Sequence, residues 1–316
     1  LRTINIEHRS TQYGGSAERS ELITDQDREQ IHASLRSEMI EVQGNLLHVV
    51  QAGPEDGPLV LLLHGFPEFW YGWRNQIGHF AEAGYRVWAP DQRGYNLSAK
   101  PHSISDYRMD ALVGDVIGLI DAAGREQINL IGHDWGAAVA WWTAAQYAER
   151  VRRLGILNVP HPAAMRVLLR ESWAQRVKSW YIAFFQIPWL PETLLSLAGP
   201  GMFLRSSGSA GTFTSRALER YKSAWSQKGA LSGMLAWYRA AFRNLGGTLT
   251  AGQIRMPALI LWGDRDVALD KRGADYSLRY CVQGRVKHFP DASHWLQHDE
   301  PEAVNRDLLD FIASEK

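Results

Sequence analysis

Cysteine is almost missing from this chain: Cys281 is the only one in 316 residues. One thiol cannot close an internal disulfide, and no Cys/His spacing suited to a metal or redox motif is visible. An excess of one charge is missing too. Lys and Arg number 34, as do Asp and Glu, so the balance argues for neither a nucleic-acid nor an anionic-membrane partner. No apolar run is long enough to span a bilayer, and no signal-peptide pattern is read near Leu1. The expectation is a reducing, cytoplasmic setting, no metal and no cofactor; a homodimer is left open.

Tryptophan is plentiful, with 13, and strands alternate with helices. Residues 1–37 are polar and charged, with a helix expected over Asp25–Leu35, and read as an N-terminal extension without chemistry of its own. Met39–Val42 and Leu46–Gln51 flank Gly44–Asn45 as a strand pair, and Leu59–Leu63 is a continuous apolar run, as a strand buried on both faces requires. Further strands are expected at Tyr85–Ala89, at Gln127–Leu130 leading into the turn at Gly132, at Leu154–Leu157, at Ala258–Trp262 and at Val286–Phe289. Helical spacings separate most of them, which implies a mostly parallel sheet covered on both faces. The rhythm stops at Asn158–Pro162 and resumes near Gly252. Between lie aromatic-rich helices, read as a lid over residues 160–252 inserted into a core of 38–159 and 253–316.

The stretch Gly132–His133–Asp134–Trp135–Gly136–Ala137 joins a strand to a helix through small residues, the pattern of a nucleophile elbow with Asp134 at its apex. An aspartate there restricts the chemistry. A carboxylate of ordinary pKa, ~4, is already ionised at neutral pH. It can displace at a saturated carbon and form an ester that water then cleaves, whereas serine would leave a stable ether. The alternative reading is an Asp that caps the following helix.

An ester intermediate needs a base for water, a group to orient the base, and donors for the oxyanion. His294, in Asp291–Ala292–Ser293–His294–Trp295, follows the last strand and is the chosen base over His64, His133, His288 and His298. The loop Trp262–Gly263–Asp264–Arg265–Asp266 offers two orienters, Asp266 first and Asp264 as the fallback. Backbone N–H groups of Phe66, after His64–Gly65, and of Trp135 fit the oxyanion position. A departing alkoxide also needs an acid that stays protonated near pH 7, which tyrosine, pKa ~10, satisfies. Tyr181 in Trp180–Tyr181 and Tyr238 in Trp237–Tyr238–Arg239 are candidates; each would otherwise read as a core aromatic.

Together these motifs resemble the soluble epoxide hydrolases of the α/β-hydrolase fold, from about Met39 to the C-terminus. His64–Gly65–Phe66–Pro67–Glu68 is similar to that family's oxyanion loop, Gly132–His133–Asp134–Trp135–Gly136 to its nucleophile motif, Asp266 to its acid position and Ser293–His294–Trp295 to its base motif. The resemblance implies that Tyr181 and Tyr238 are the paired ring-opening acids, and that the 160–252 insertion is a helical cap. It implies a small apolar epoxide as substrate, with Phe66, Trp135, Phe185, Trp237 and Trp295 as its wall. One departure is Asn96, where the Asp91…Arg93–Gly94 turn of the family usually has glycine; Asn tolerates the left-handed backbone better than most residues.

A haloalkane dehalogenase would share the Asp nucleophile and the Trp after it, but typically carries Asn where Phe66 stands. A fluoroacetate dehalogenase would have arginine at Trp135 and Ala138. A catalytically silent ligand-binding protein would have lost one of the five groups, and none is missing.

Overall fold

The computed structural model describes residues 23–243 and 252–314. Residues 1–22 of the expected extension and 244–251 of the expected insertion lie outside the described residues. Among the described residues eight strands form one sheet: β1 (Arg36–Val42), β2 (Asn45–Ala52), β3 (Leu59–Leu63), β4 (Arg86–Pro90), β5 (Ile128–His133), β6 (Val151–Leu157), β7 (Ala258–Gly263) and β8 (Gly284–Phe289). Their order is β1-β2-β4-β3-β5-β6-β7-β8. The first two strands pair antiparallel, and β2 pairs antiparallel with β4. From β4 onward every pairing is parallel.

Thirteen helices accompany the strands among the described residues. α1 (Asp25–Gln30), α2 (Arg74–Glu82), α3 (Met109–Ala122) and α4 (Trp135–Gln146) precede the insertion. The insertion holds α5 (Pro162–Glu171), α6 (Trp173–Lys178), α7 (Trp180–Phe184), α8 (Leu190–Ser207), α9 (Ser215–Trp225) and α10 (Ala230–Arg243). α11 (Arg272–Ser277), α12 (Leu296–Asp299) and α13 (Pro301–Ala313) complete the chain.

Alternation along β3 explains the two-sided core. Leu59, Leu61 and Leu63 join one buried cluster with residues of α3 and α4, and Val60 and Leu62 join another with residues of α2 and α13. Side chains of a strand alternate sides, so a strand covered on both must be apolar throughout. Each fully buried Val or Leu contributes about 1.5–3 kcal/mol, which makes β3 the anchor of the sheet. The edge strand β8 is buried only at Phe289, and half-buried and exposed positions alternate along Gly284–His288.

The N-terminal part differs from expectation in one respect. The helix ends at Gln30 and the strand begins at Arg36, which pairs with Gln51, so the sheet reaches two residues into the expected extension. Thr24 and Asp27 cap α1 reciprocally, and Ile23 and Leu35 are buried against the sheet domain. The Asn96 turn survives as expected: φ is 37° and Nδ2 donates to Asp91 Oδ2 at 2.8 Å.

Candidate active site

Parallel strands deliver their carboxyl ends to one edge of the sheet, and β3 and β5 are neighbours there with Leu63 opposite Gly132. The loop after β3 therefore runs beside the elbow after β5. Asp134 sits at the apex with φ 50° and ψ −125°, a strained backbone for a residue with a Cβ. Small neighbours are obligatory. A Cβ on Gly136 would collide with the Leu63 and His64 carbonyl oxygens, and one on Gly65 would collide with the Asp134 side chain.

The capping alternative for Asp134 fails, because its side chain makes no cap bond to α4. The Phe66 N–H instead donates to Asp134 Oδ1 at 2.6 Å, and the Trp135 amide acts on the same carboxyl. The second oxygen, Oδ2, lies 3.5 Å from His294 Nε2. His294 is carried by the loop after β8, and its Nδ1–H donates to Asp266 Oδ2 at 2.7 Å. Asp266 rather than Asp264 is thus the partner. Asp264 is taken by His288 Nδ1 at 2.6 Å and Lys271 Nζ at 3.0 Å.

Burial alone would raise the Asp134 carboxyl. The hydrogen bond and positive charge of His294 outweigh it and hold the group below the usual carboxylate range. Asp266 is lowered against the same burial by the His294 charge and hydrogen bond and by a bond from Asn158. For His294 burial works downward, but the Asp266 charge and the bond to Asp134 raise the imidazole to about 10.

A cavity of about 310 Å³ opens above Asp134. Phe66, Tyr181, Phe203, Tyr238 and Trp295 line it with Asp134 and His294. Tyr181 comes from α7 and Tyr238 from α10, and their rings meet edge to face with centroids 5.9 Å apart. Burial first, and the Asp134 charge second, push both phenols above the ordinary tyrosine range. Both remain protonated donors at neutral pH.

Three of the expected wall residues are set back from the cavity. Phe185 packs against Phe66 and Tyr238, with centroids 5.6 and 4.9 Å away. Trp135 meets Tyr238 at 5.0 Å. Trp237 is held by Nε1 donating to the Arg93 carbonyl at 2.9 Å and packs between Tyr95 and Trp135. They brace the tyrosines and Phe66 instead of facing the space.

Residues 58–301 match the family described as alpha/beta hydrolase fold. The chain belongs to that family. This α/β-hydrolase is 43% identical over 286 residues to the AB hydrolase superfamily protein YfhM of Bacillus subtilis (strain 168), covering 89% of this chain and 99% of that protein. Epoxide hydrolase 1 of Caenorhabditis elegans is 40% identical over 284 residues, 87% of this chain and 70% of that protein. Among solved structures, a Bacillus megaterium epoxide hydrolase in complex with an inhibitor is similar with a TM-score of 0.81 and 32% identity, over 88% of this chain and 100% of that one.

Several supporting groups of this α/β-hydrolase escaped the sequence reading. Asn158 donates to Asp266 Oδ2 at 2.8 Å and accepts from the Gly263 N–H at 3.0 Å, which locks the acid loop. Lys178 at the end of α6 donates to the Asp266 carbonyl at 2.6 Å, tying the insertion to that loop. Beneath the nucleophile the buried Glu68 accepts from Tyr221, from His298 Nε2 at 2.8 Å and from Gln297 Nε2 at 3.0 Å. Burial would raise Glu68, but the His298 charge and its other donors hold it well below the usual range. His133 Nε2–H donates to the His294 carbonyl at 2.8 Å, fixing the base loop from below. The asparagine at the end of β6 was visible in sequence; its partner 108 positions away was not.

Proposed function

We propose that this chain opens an apolar epoxide with water to give a vicinal diol, through an ester on Asp134. Its relatives named epoxide hydrolases support the reaction, and the chain is an epoxide hydrolase by that relationship. What supports the route is one arrangement: a carboxylate with Oδ1 on the Phe66 N–H and Oδ2 toward His294, roofed by two phenols, Tyr238 buried and Tyr181 half-buried.

In the first step Asp134 Oδ2 attacks an epoxide carbon and the ring C–O bond breaks. The ring oxygen takes a proton from Tyr181 or Tyr238. In the second, His294 Nε2 takes a proton from water, and the new hydroxide adds to the ester carbonyl carbon. The oxyanion forms at Oδ1, against the Phe66 and Trp135 amides. Collapse expels the diol oxygen, which receives the proton held by His294. The water's other proton, left on the regenerated carboxyl, restores the phenol.

The electrostatics support this order. His294 is raised partly by the Asp134 charge, and esterification removes that charge. The imidazole then releases its proton more easily, so the base becomes competent once there is an ester to cleave.

The remaining assignments follow from the same reading. Residues 160–252 act as a cap on a core of 38–159 and 253–316, with 1–37 as an extension. Phe66 and Trp295 contact substrate directly, and Phe185, Trp135 and Trp237 support from behind. A single turnover of styrene oxide in ¹⁸O-water tests the route. The label is expected in the Asp134 carboxylate and not in the first diol released; label in that diol with none in Asp134 would rule the ester out.

A further inference from the structure

The chain's neutrality averages over two unlike regions. Between 160 and 252 there are eleven Lys or Arg against three Asp or Glu, leaving 23 against 31 elsewhere. The inserted segment therefore carries a surplus of eight positive charges, and the rest an equal deficit. Arg216 and Arg220 are paired with Asp27, and Arg239 with Glu192. Arg170, Arg205, Lys222 and Lys228 are exposed and have no ion pair among the described residues.

The same helices leave apolar surface in water. Among the described residues, nine of the fourteen exposed large apolar side chains lie between Trp173 and Phe242. Trp173 and Trp189 are 74% and 72% exposed. Trp173 and Val177, at i and i+4, share one side of α6, and Trp180 opens α7. Trp189 is held out with φ 54°, a left-handed backbone that a tryptophan rarely adopts. Exposed apolar surface also reaches the reaction cavity. Trp180 and Val267, both exposed, are lining residues of the Asp134 cavity and form its rim.

Exposed tryptophans on a segment that also carries unpaired surface cations are the chemistry of a membrane interface, where the indole sits at headgroup depth and Lys and Arg meet anionic lipid. We propose that the outer face of the cap docks on an anionic lipid surface, so that an apolar epoxide dissolved in the bilayer enters the cavity by its own rim. The delivery of epoxide rests on the function proposed above; the docking does not. No helix among the described residues is long and apolar enough to cross a membrane, so the contact is peripheral. A second copy of the chain is the poorer occupant. A two-fold cap-to-cap contact would oppose two surfaces of the same positive sign.

The test uses the full chain, without substrate, and co-sedimentation with vesicles of phosphatidylcholine and phosphatidylglycerol or of phosphatidylcholine alone. Binding to the anionic vesicles, weakened by salt, is expected. Trp173→Ser with Trp189→Ser should reduce partitioning by about tenfold or more, while circular dichroism and styrene oxide turnover in lipid-free buffer stay unchanged. Absence of binding to anionic vesicles would overturn the proposal, as would binding that the double variant leaves intact. A concentration-dependent dimer lost in that variant, with no vesicle binding, would also overturn it and give the face to a second copy. Vesicle binding without epoxide turnover would leave docking standing and count against the function; turnover without binding would do the reverse.

Discussion

The sheet and the inserted helices divide both stability and chemistry. β3 and β5 are buried along their whole length, whereas α7 has no buried residue. The sheet edge supplies Asp134, Asp266 and His294: the imidazole lies between the two carboxylates, 2.7 Å from Asp266 and 3.5 Å from Asp134, and the Phe66 amide holds Asp134. The insertion supplies two neutral phenols with Trp180 and Phe203, and the sheet domain completes the wall with Phe66, Val267, Ala268 and Trp295. The charged groups sit on the buried sheet layer, and the neutral proton donors sit on the helices above it. Catalysis by pre-set electrostatics demands rigidity from the charged groups more than from the cover.

Removing one group from each layer separates their contributions. Asp134→Ala should lower styrene oxide turnover by at least about 10⁴-fold, since no other group can form the ester. Tyr181→Phe should cost only about 10- to 100-fold, because Tyr238 still donates. Steady-state kinetics on both variants would check it, and equal losses would erase the distinction. In stability, Leu61→Ala in β3 should cost roughly 2–5 kcal/mol by the lost burial and cavity. Leu197→Ala on α8, where the side chain is 79% exposed, should stay within about 0.5 kcal/mol. Urea unfolding of the two variants reads that difference.

The pH dependence separates the two half-reactions. Alkylation needs ionised Asp134, which is lowered, and protonated tyrosines, which are raised, so mild acid leaves it intact. Ester hydrolysis needs neutral His294, whose imidazole is raised by the Asp266 charge even after the Asp134 charge is gone. Lowering the pH therefore protonates the base and should increase the fraction of enzyme trapped as ester. Acid quenching followed by intact-mass measurement at several pH values would detect it; an ester fraction that falls on acidification would contradict the assignment of His294.

How much of this was legible depends on how local each constraint is. The elbow could be read because a sharp turn excludes side chains at Gly132 and Gly136 within a few residues of Asp134. β3 could be read because burial on both faces leaves no room for a polar residue. The choice between Asp264 and Asp266 could be narrowed but not closed, since it depends on which one the fold turns toward His294. Asn158, Lys178 and the Glu68 network were not legible. Each works through a partner brought close only by the fold, as Glu68 and His298 are across 230 positions. The set-back position of Trp237 was hidden for the same reason, being fixed by the Arg93 carbonyl. The cap's surplus of positive charge was present in the sequence, but only a division of the chain at the insertion exposes it.

On the proposed route Asp134 forms the bond to carbon and His294 releases it. Intact-protein mass spectrometry of the His294→Gln variant after exposure to styrene oxide tests it most directly. A mass gain of one whole epoxide, mapped by peptide analysis to Asp134, is the expected result. A folded variant that gains no mass, or gains it at another residue, would contradict the account.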